Sequence, residues 1–248
     1  MSGHSKWATI KRKKGATDAK RGQVFTKLIK EITIAARSSS DLNNNPRLRS
    51  AVAAAKASSM PKENIDRAIK KGAGELDGQI LEEITYEAFG PSGIAILIET
   101  VTDNKNRTVG DIRSILTKAN GKLGSANSVS IKFERKGVIP IPAAKGLTED
   151  KLMEDLLELG VEDYKNEEGD FIVFTDPTLF ESVRSALEEK KYIMEGPAIQ
   201  MIPRETVPIE GDKVPGILKL IEKLEDNEDV QNVYANYDIS AEDLEKYA

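Results

Sequence analysis

The sequence contains no cysteine and a single histidine, His4. The first absence excludes disulfides and thiolate metal sites, so the chain needs no oxidising compartment. The second excludes a multi-histidine zinc or iron centre, and no cofactor is expected. Aromatic residues make up 5% of the 248 positions, with one tryptophan, Trp7. No apolar run approaches the length of a membrane span; IAILI (Ile94 to Ile98) is among the longest. The first residues lack the apolar centre of a signal peptide, because charges interrupt them at once. A cytoplasmic protein with no membrane partner is the expectation.

Catalytic signatures are equally scarce. Neither GxxxxGK[ST] nor GxGxxG after a strand occurs. GKLGSA (Gly121 to Ala126) has glycines and a lysine but the wrong spacing, and reads as a turn. A Ser–His–Asp site would have to recruit His4, far from any predicted pocket. Carboxylate pairs such as Glu82–Glu83 and Glu167–Glu168 fall on predicted surfaces and hairpin tips, where solvation accounts for them. The chain reads as a non-enzymatic protein.

Charge is abundant, at 31% of residues, and unevenly placed. Residues 1–71 hold 17 Lys and Arg against 5 Asp and Glu, a net of +12. The remainder carries a net of −17, although the whole chain is only −5. Such asymmetry points to an anionic partner for the first segment; the alternative is a merely solvated helical surface. Within it, GHSKWATIKRKKGATDAKRG (Gly3 to Gly22) has seven cations and one aspartate.

Periodicity separates three regions. Residues 1–75 read as a basic arm followed by a helical domain. VFTKLIKEITIAA places Phe25, Leu28, Ile29, Ile32, Ala35 and Ala36 on one helical stripe. Asn45 before Pro46 and a second proline, Pro61, open two further helices, and Gly72 closes the last. Residues 76–134 plus 206–248 read as one α+β domain of split sequence. ILEEITYEAFG and GIAILIETVT are strands joined around GPSG; a helix carries Val109, Ile112, Ile115 and Leu116; SVSIKFE (Ser128 to Glu134) alternates as a strand. GILKLIEKLED and VQNVYANYDI supply a further helix and strand. Residues 135–205 read as an inserted βαββαβ domain, with YIMEGPAIQMI as its last strand. The fold class is α+β, in three domains, one inserted in another.

The arm is the candidate nucleic-acid interface. Lys6, Lys11, Arg12, Lys13, Lys14, Lys20 and Arg21 suit phosphates. His4 and Trp7 offer flat faces to an unstacked base, although a lone tryptophan also serves to pack an arm. Lys27, Arg47, Arg49, Lys56, Lys62, Arg67, Lys70 and Lys71 extend the positive surface over the helical domain. Thr102, Asp103, Asn104, Lys105, Asn106 and Arg107 form a candidate positioning loop. Its structural reading is a helix cap on Thr102 or Asp103 with asparagine-tolerant turns.

The blocks GHSKWATIKRKKGATDAKRGQVFTKLIKEI, NPRLRSAVAAAKASSMPKENIDRAIKKGAGE, YEAFGPSGIAILIETVTDNKNRT and FERKG resemble the YebC family. That family includes the PmpR-type bacterial regulators and the mitochondrial translational activator of cytochrome oxidase subunit one. The resemblance implies a helical N-terminal domain, two α+β domains and a DNA-binding regulator of transcription. Its alternative is a ribosome-associated translation factor that contacts ribosomal or transfer RNA and relieves stalled peptide-bond formation, as at proline runs. FGPSG departs from the expected aromatic followed by Ala-Pro-Gly-Gly, and the inserted domain matches least. A monomer is the expected state.

Overall fold

The computed structural model describes residues 18–78, 80–144, 147–161, 163–167 and 169–247. Helices α1 (Asp18–Ala35), α2 (Pro46–Ala57) and α3 (Lys62–Gly72) form the N-terminal helical domain. Their core joins Ile32, Ala35, Ala36, Leu48, Ala51, Val52, Ala55, Ile65 and Ala68, closed by Met60. Small residues let the helices approach closely. A Cβ at Gly72 would stand 2.3 Å from the Thr33 carbonyl oxygen and 2.7 Å from the Ala36 Cβ. The α1–α2 connection is held by buried Asn45. Its Oδ1 accepts from the Leu48 N–H at 3.0 Å, while Nδ2 donates to the carbonyls of Ala35 and Ser39 at 2.8 and 2.7 Å. One side chain thereby caps α2 and satisfies the last turn of α1.

The split α+β domain follows. Strands β1 (Glu82–Phe89) and β2 (Ala95–Thr102) pair antiparallel through the GPSG turn, where Ser92 and Gly93 both take positive φ. Helix α4 (Lys105–Lys118) leads to the two-residue strand β3 (Lys122–Leu123). After the inserted segment come β8 (Val207–Pro208), α7 (Val214–Glu225), β9 (Val230–Ala235), β10 (Tyr237–Asp238) and α8 (Ala241–Tyr247). The four-stranded sheet runs β3-β1-β2-β9. Ile96 and Ile98 of β2 with Val233 and Ala235 of β9 meet Ile112 and Leu116 of α4 and Ile217, Ile221 and Leu224 of α7. Both helices therefore cover one face, as the period-two and period-3.6 patterns require.

The segment Lys132–Arg204 is a separate compact unit. Its strands β4 (Phe133–Ile141), β5 (Asp163–Glu167), β6 (Asp170–Thr175) and β7 (Ala198–Pro203) form an antiparallel sheet in the order β5-β6-β4-β7. Helices α5 (Glu149–Glu158) and α6 (Phe180–Glu189) supply Leu152, Leu156, Val183 and Leu187 to a core with Ile139, Ile141, Phe171 and Val173. This is the split β-α-β arrangement written twice over one sheet.

Four local expectations are corrected. Ser128 to Glu134 is not one strand: Ser130–Lys132 is a 3-10 turn, and Phe133 opens β4 instead. The cause is Glu87, whose carboxylate accepts the backbone N–H groups of Asn127, Val129 and Ser130 and folds the segment. The Gly121 to Ala126 turn contains a strand, because Lys122 and Leu123 pair with Phe89 and Ala88. The last inserted strand begins only at Ala198, after Gly196 turns the chain at φ 64°. VQNVYANYDI is broken at Asn236, which exchanges bonds with Ala95 through its own N–H (3.1 Å) and its Oδ1 (2.7 Å). Beyond it, β10 pairs parallel with β8.

Candidate nucleic-acid interface

His4, Lys6, Trp7, Lys11, Arg12, Lys13 and Lys14 lie outside the described residues, as does the Lys20 side chain. The remaining cations divide by what they touch. Arg21 is exposed, with its guanidinium carbon 5.5 Å from the Phe25 ring centre. Lys27 and Lys30, one helical turn apart on α1, point to the end of α7. Lys27 donates to the Glu225 carbonyl, Lys30 to the Glu228 carbonyl at 2.9 Å and to Asp229 Oδ1 at 2.6 Å. Cations at a helix C-terminus meet its orphan carbonyls and its negative dipole end.

Arg47 is clasped by two acids, Glu31 at 2.7 Å and Glu83 at 2.6 Å. The Glu31 hydrogen bond, offset by burial and reinforced by Glu83, raises its pKa further above the ordinary arginine value. Arg49 donates to the carbonyls of Leu42 and Asn43. Lys71 lies over Gly78, at which a Cβ would fall 2.0 Å from its Cε. Lys56, Lys62, Arg67 and Lys70 are exposed and make no ion pair with a described residue. Arg67 and Lys70 project from the side of α3 opposite the buried Ile65 and Ala68.

The loop from Thr102 to Arg107 is internally bonded. Asn104, rather than Thr102 or Asp103, is the helix cap: its Oδ1 accepts from the Arg107 N–H at 3.1 Å. Thr102 Oγ1 accepts from the Asn104 N–H at 2.9 Å and contacts the Thr108 hydroxyl at 2.8 Å. Lys105 pairs with Glu82 at 2.7 Å, and Arg107 bridges Asp103 (2.9 Å) and Asp229 (2.8 Å). Asn106 is exposed.

Asp229, at the foot of β9, was silent in the sequence, as was Lys30. Its carboxylate gathers Lys30, Arg107 and the Thr108 hydroxyl at 2.7 Å. Burial pushes its pKa up, but the three donors outweigh burial and hold it at about 2. Ile34 of α1, Leu81 and Val101 of β2 add an apolar contact between the helical and split domains. No periodic or compositional signal marks Asp229, because its partners come from two distant segments, Lys30 of α1 and Arg107–Thr108 of α4. Among the described residues, no group of three or more His, Asp or Glu side chains is arranged to hold a metal ion. Among the same residues, no helix is long and apolar enough to cross a membrane.

Comparison with known proteins follows this division. Residues 5–75 match the model described as the TACO1/YebC protein N-terminal domain, and residues 81–237 match the TACO1/YebC second and third domain. A probable transcriptional regulatory protein of Geobacter sulfurreducens is 56% identical over 247 residues, covering 99% of each chain. One from Desulfotalea psychrophila is 53% identical over 250 residues, covering 100% of each. A crystal structure of a conserved hypothetical protein from Aquifex aeolicus superposes with a TM-score of 0.80 at 43% identity, over 90% of this chain and 92% of that one. Two matched family models that meet near the α3–β1 connection, and relatives alike from end to end, make this chain a member of the TACO1/YebC family.

Proposed function

We propose that the protein is a non-enzymatic, nucleic-acid-binding regulator of transcription whose arm and helical domain grip phosphates. The observation that carries this reading is the division of cations. Lys56, Lys62, Arg67 and Lys70 stand exposed without a described acid partner, in a segment of net +12. The rest of the chain, at −17, is repelled by the same polyanion and so orients the complex. The regulatory name carried by the relatives agrees with this reading.

Lys27, Lys30, Arg47 and Arg107 spend their charge inside the chain, so they position the gripping residues rather than grip. Phosphate recognition falls to the arm together with Lys56, Lys62, Arg67 and Lys70. Replacing Lys11, Arg12, Lys13 and Lys14 by alanine abolishes duplex binding at physiological salt. Wild-type affinity in that variant overturns the reading. Crosslinking in cells, followed by sequencing of attached nucleic acid and by ribosome sedimentation, separates the regulatory levels. Promoter enrichment without ribosomes supports transcription; DNase-resistant co-sedimentation with ribosomes replaces it with translation.

A further inference from the structure

Helix α5 of the inserted unit has two dissimilar flanks. Leu152 and Leu156 face the core. On one flank Asp155 meets Lys190 and Tyr192 at 2.5 Å each, at the end of α6. On the other, Glu149 reaches β5, accepting from the Tyr164 hydroxyl at 3.0 Å and the Asn166 amide at 2.6 Å. Beyond Glu149 lies a stripe of Asp150, Met153, Glu154 and Leu157, spaced i, i+3, i+4, i+7. Met153 is 41% exposed and Leu157 58% exposed. Asp150 and Glu154 are exposed and form no ion pair with a described residue.

This flank stands beside a sheet edge. β5 is the terminal strand of the order β5-β6-β4-β7. In an antiparallel pair, alternate residues of the outer strand turn their N–H and C=O groups away from the sheet. Among the described residues, an unpaired strand edge, two exposed apolar side chains and two carboxylates without an ion pair thus share one border of the unit. An extended peptide adds to such an edge by main-chain bonds and takes its specificity from alternate side chains. Here apolar side chains would rest on Met153 and Leu157, and cationic ones would face Asp150 and Glu154.

We propose that the β5–α5 border is a protein-docking site that binds an extended, basic segment of a partner protein by strand addition. The site is independent of the nucleic-acid reading and lies in the inserted domain, to which that reading assigns no phosphate contact.

The probe is a fluorescein-labelled peptide alternating lysine with valine, titrated into the full chain by anisotropy and mapped by hydrogen exchange. Binding with slowed exchange at amides 163–167 is expected. A peptide with glutamate for lysine, or with a central proline, fails to bind. The double variant Met153→Ser/Leu157→Ser weakens binding at least about tenfold with an unchanged melting curve. If that variant does not fold, the exposed pair Asp150→Asn/Glu154→Gln must weaken binding at low salt instead. Unaltered affinity in the folded variants, or no slowing at β5, overturns the proposal. So does β5 protection that rises with protein concentration alone, which assigns the edge to a second copy. Full protection in the dilute chain assigns it to the chain's own arm and overturns the proposal as well.

Discussion

Lys30 Nζ lies 2.6 Å from Asp229 Oδ1, and the aspartate side chain is only 5% exposed. The pair joins the first helix to the last strand of the main sheet, 199 residues apart. Arg107 and Thr108 complete the shell, so the carboxylate is fully paired where an isolated charge would be costly. Asp229→Asn removes the charge, leaves Lys30 without its acid and leaves Arg107 with Asp103 alone. Denaturant unfolding at pH 7 is expected to show a loss of roughly 2–4 kcal/mol.

The same pair sets a pH window. The folded carboxyl titrates at about 2, below the unfolded aspartate value of about 3.9. A depressed folded pKa stabilises above the unfolded pKa and ceases to as pH falls through the folded one. Wild-type stability should therefore drop by about 2–3 kcal/mol from this group between about pH 5 and 2. The Asp229→Asn chain lacks that component, so the two unfolding curves converge in acid. Parallel curves would assign the acid sensitivity to other carboxylates.

Gly72 is a contact and not a hinge. Its missing Cβ admits the Thr33 carbonyl, which would otherwise lie 2.3 Å away. Gly72→Ala must push α3 off α1, at a cost of about 1–3 kcal/mol, despite the better helix propensity of alanine. A thermal melt that rises instead would show that the helices can part freely.

Glu87 holds three consecutive-region amides. Burial raises its pKa, and the bonds from Val129, Ser130 and Asn127 outweigh burial to lower it. Glu87→Ala leaves those N–H groups without their acceptor. Hydrogen exchange at 127, 129 and 130 should accelerate, with the helical domain unchanged. Unaltered exchange there would mean that the turn stands on its own backbone geometry.

The exposed cations separate binding from stability. The triple variant Lys62→Ala/Arg67→Ala/Lys70→Ala should melt like the wild type. Its slope of log affinity against log salt should fall by about 0.9 for each side chain that meets a phosphate. Arg47→Ala should behave oppositely, losing stability through Glu31 and Glu83 with little change in slope. A reversed pattern would exchange their roles.

How far these features could be read from residues alone depends on the range of the interaction. Asn45–Pro46 announces α2 because cap and first turn are adjacent, and GPSG announces the β1–β2 hairpin for the same reason. The stripe of Phe25, Leu28, Ile29 and Ile32 shows the core face of α1 by period. The strand expected over Ser128 to Glu134 failed because alternation is local, whereas Glu87, which bends it, is about 40 residues earlier. Cationic residue types reveal net field but not partners. Arg47 and Lys62 look alike in sequence; an acid contributed by β1 makes one structural and leaves the other open to solvent.

The Arg204 N–H donates to the Lys132 carbonyl at 2.9 Å, and Phe133 pairs with Pro203. The two ends of the inserted unit are therefore stitched side by side, though Lys132 and Arg204 are 72 positions apart in the sequence. A chain crossing so narrow a neck imposes little constraint on the host sheet, whose strands close without it. The cassette is thus portable in principle: its surface can be rewritten, or the whole unit exchanged for another with neighbouring termini, while the cationic end keeps its architecture.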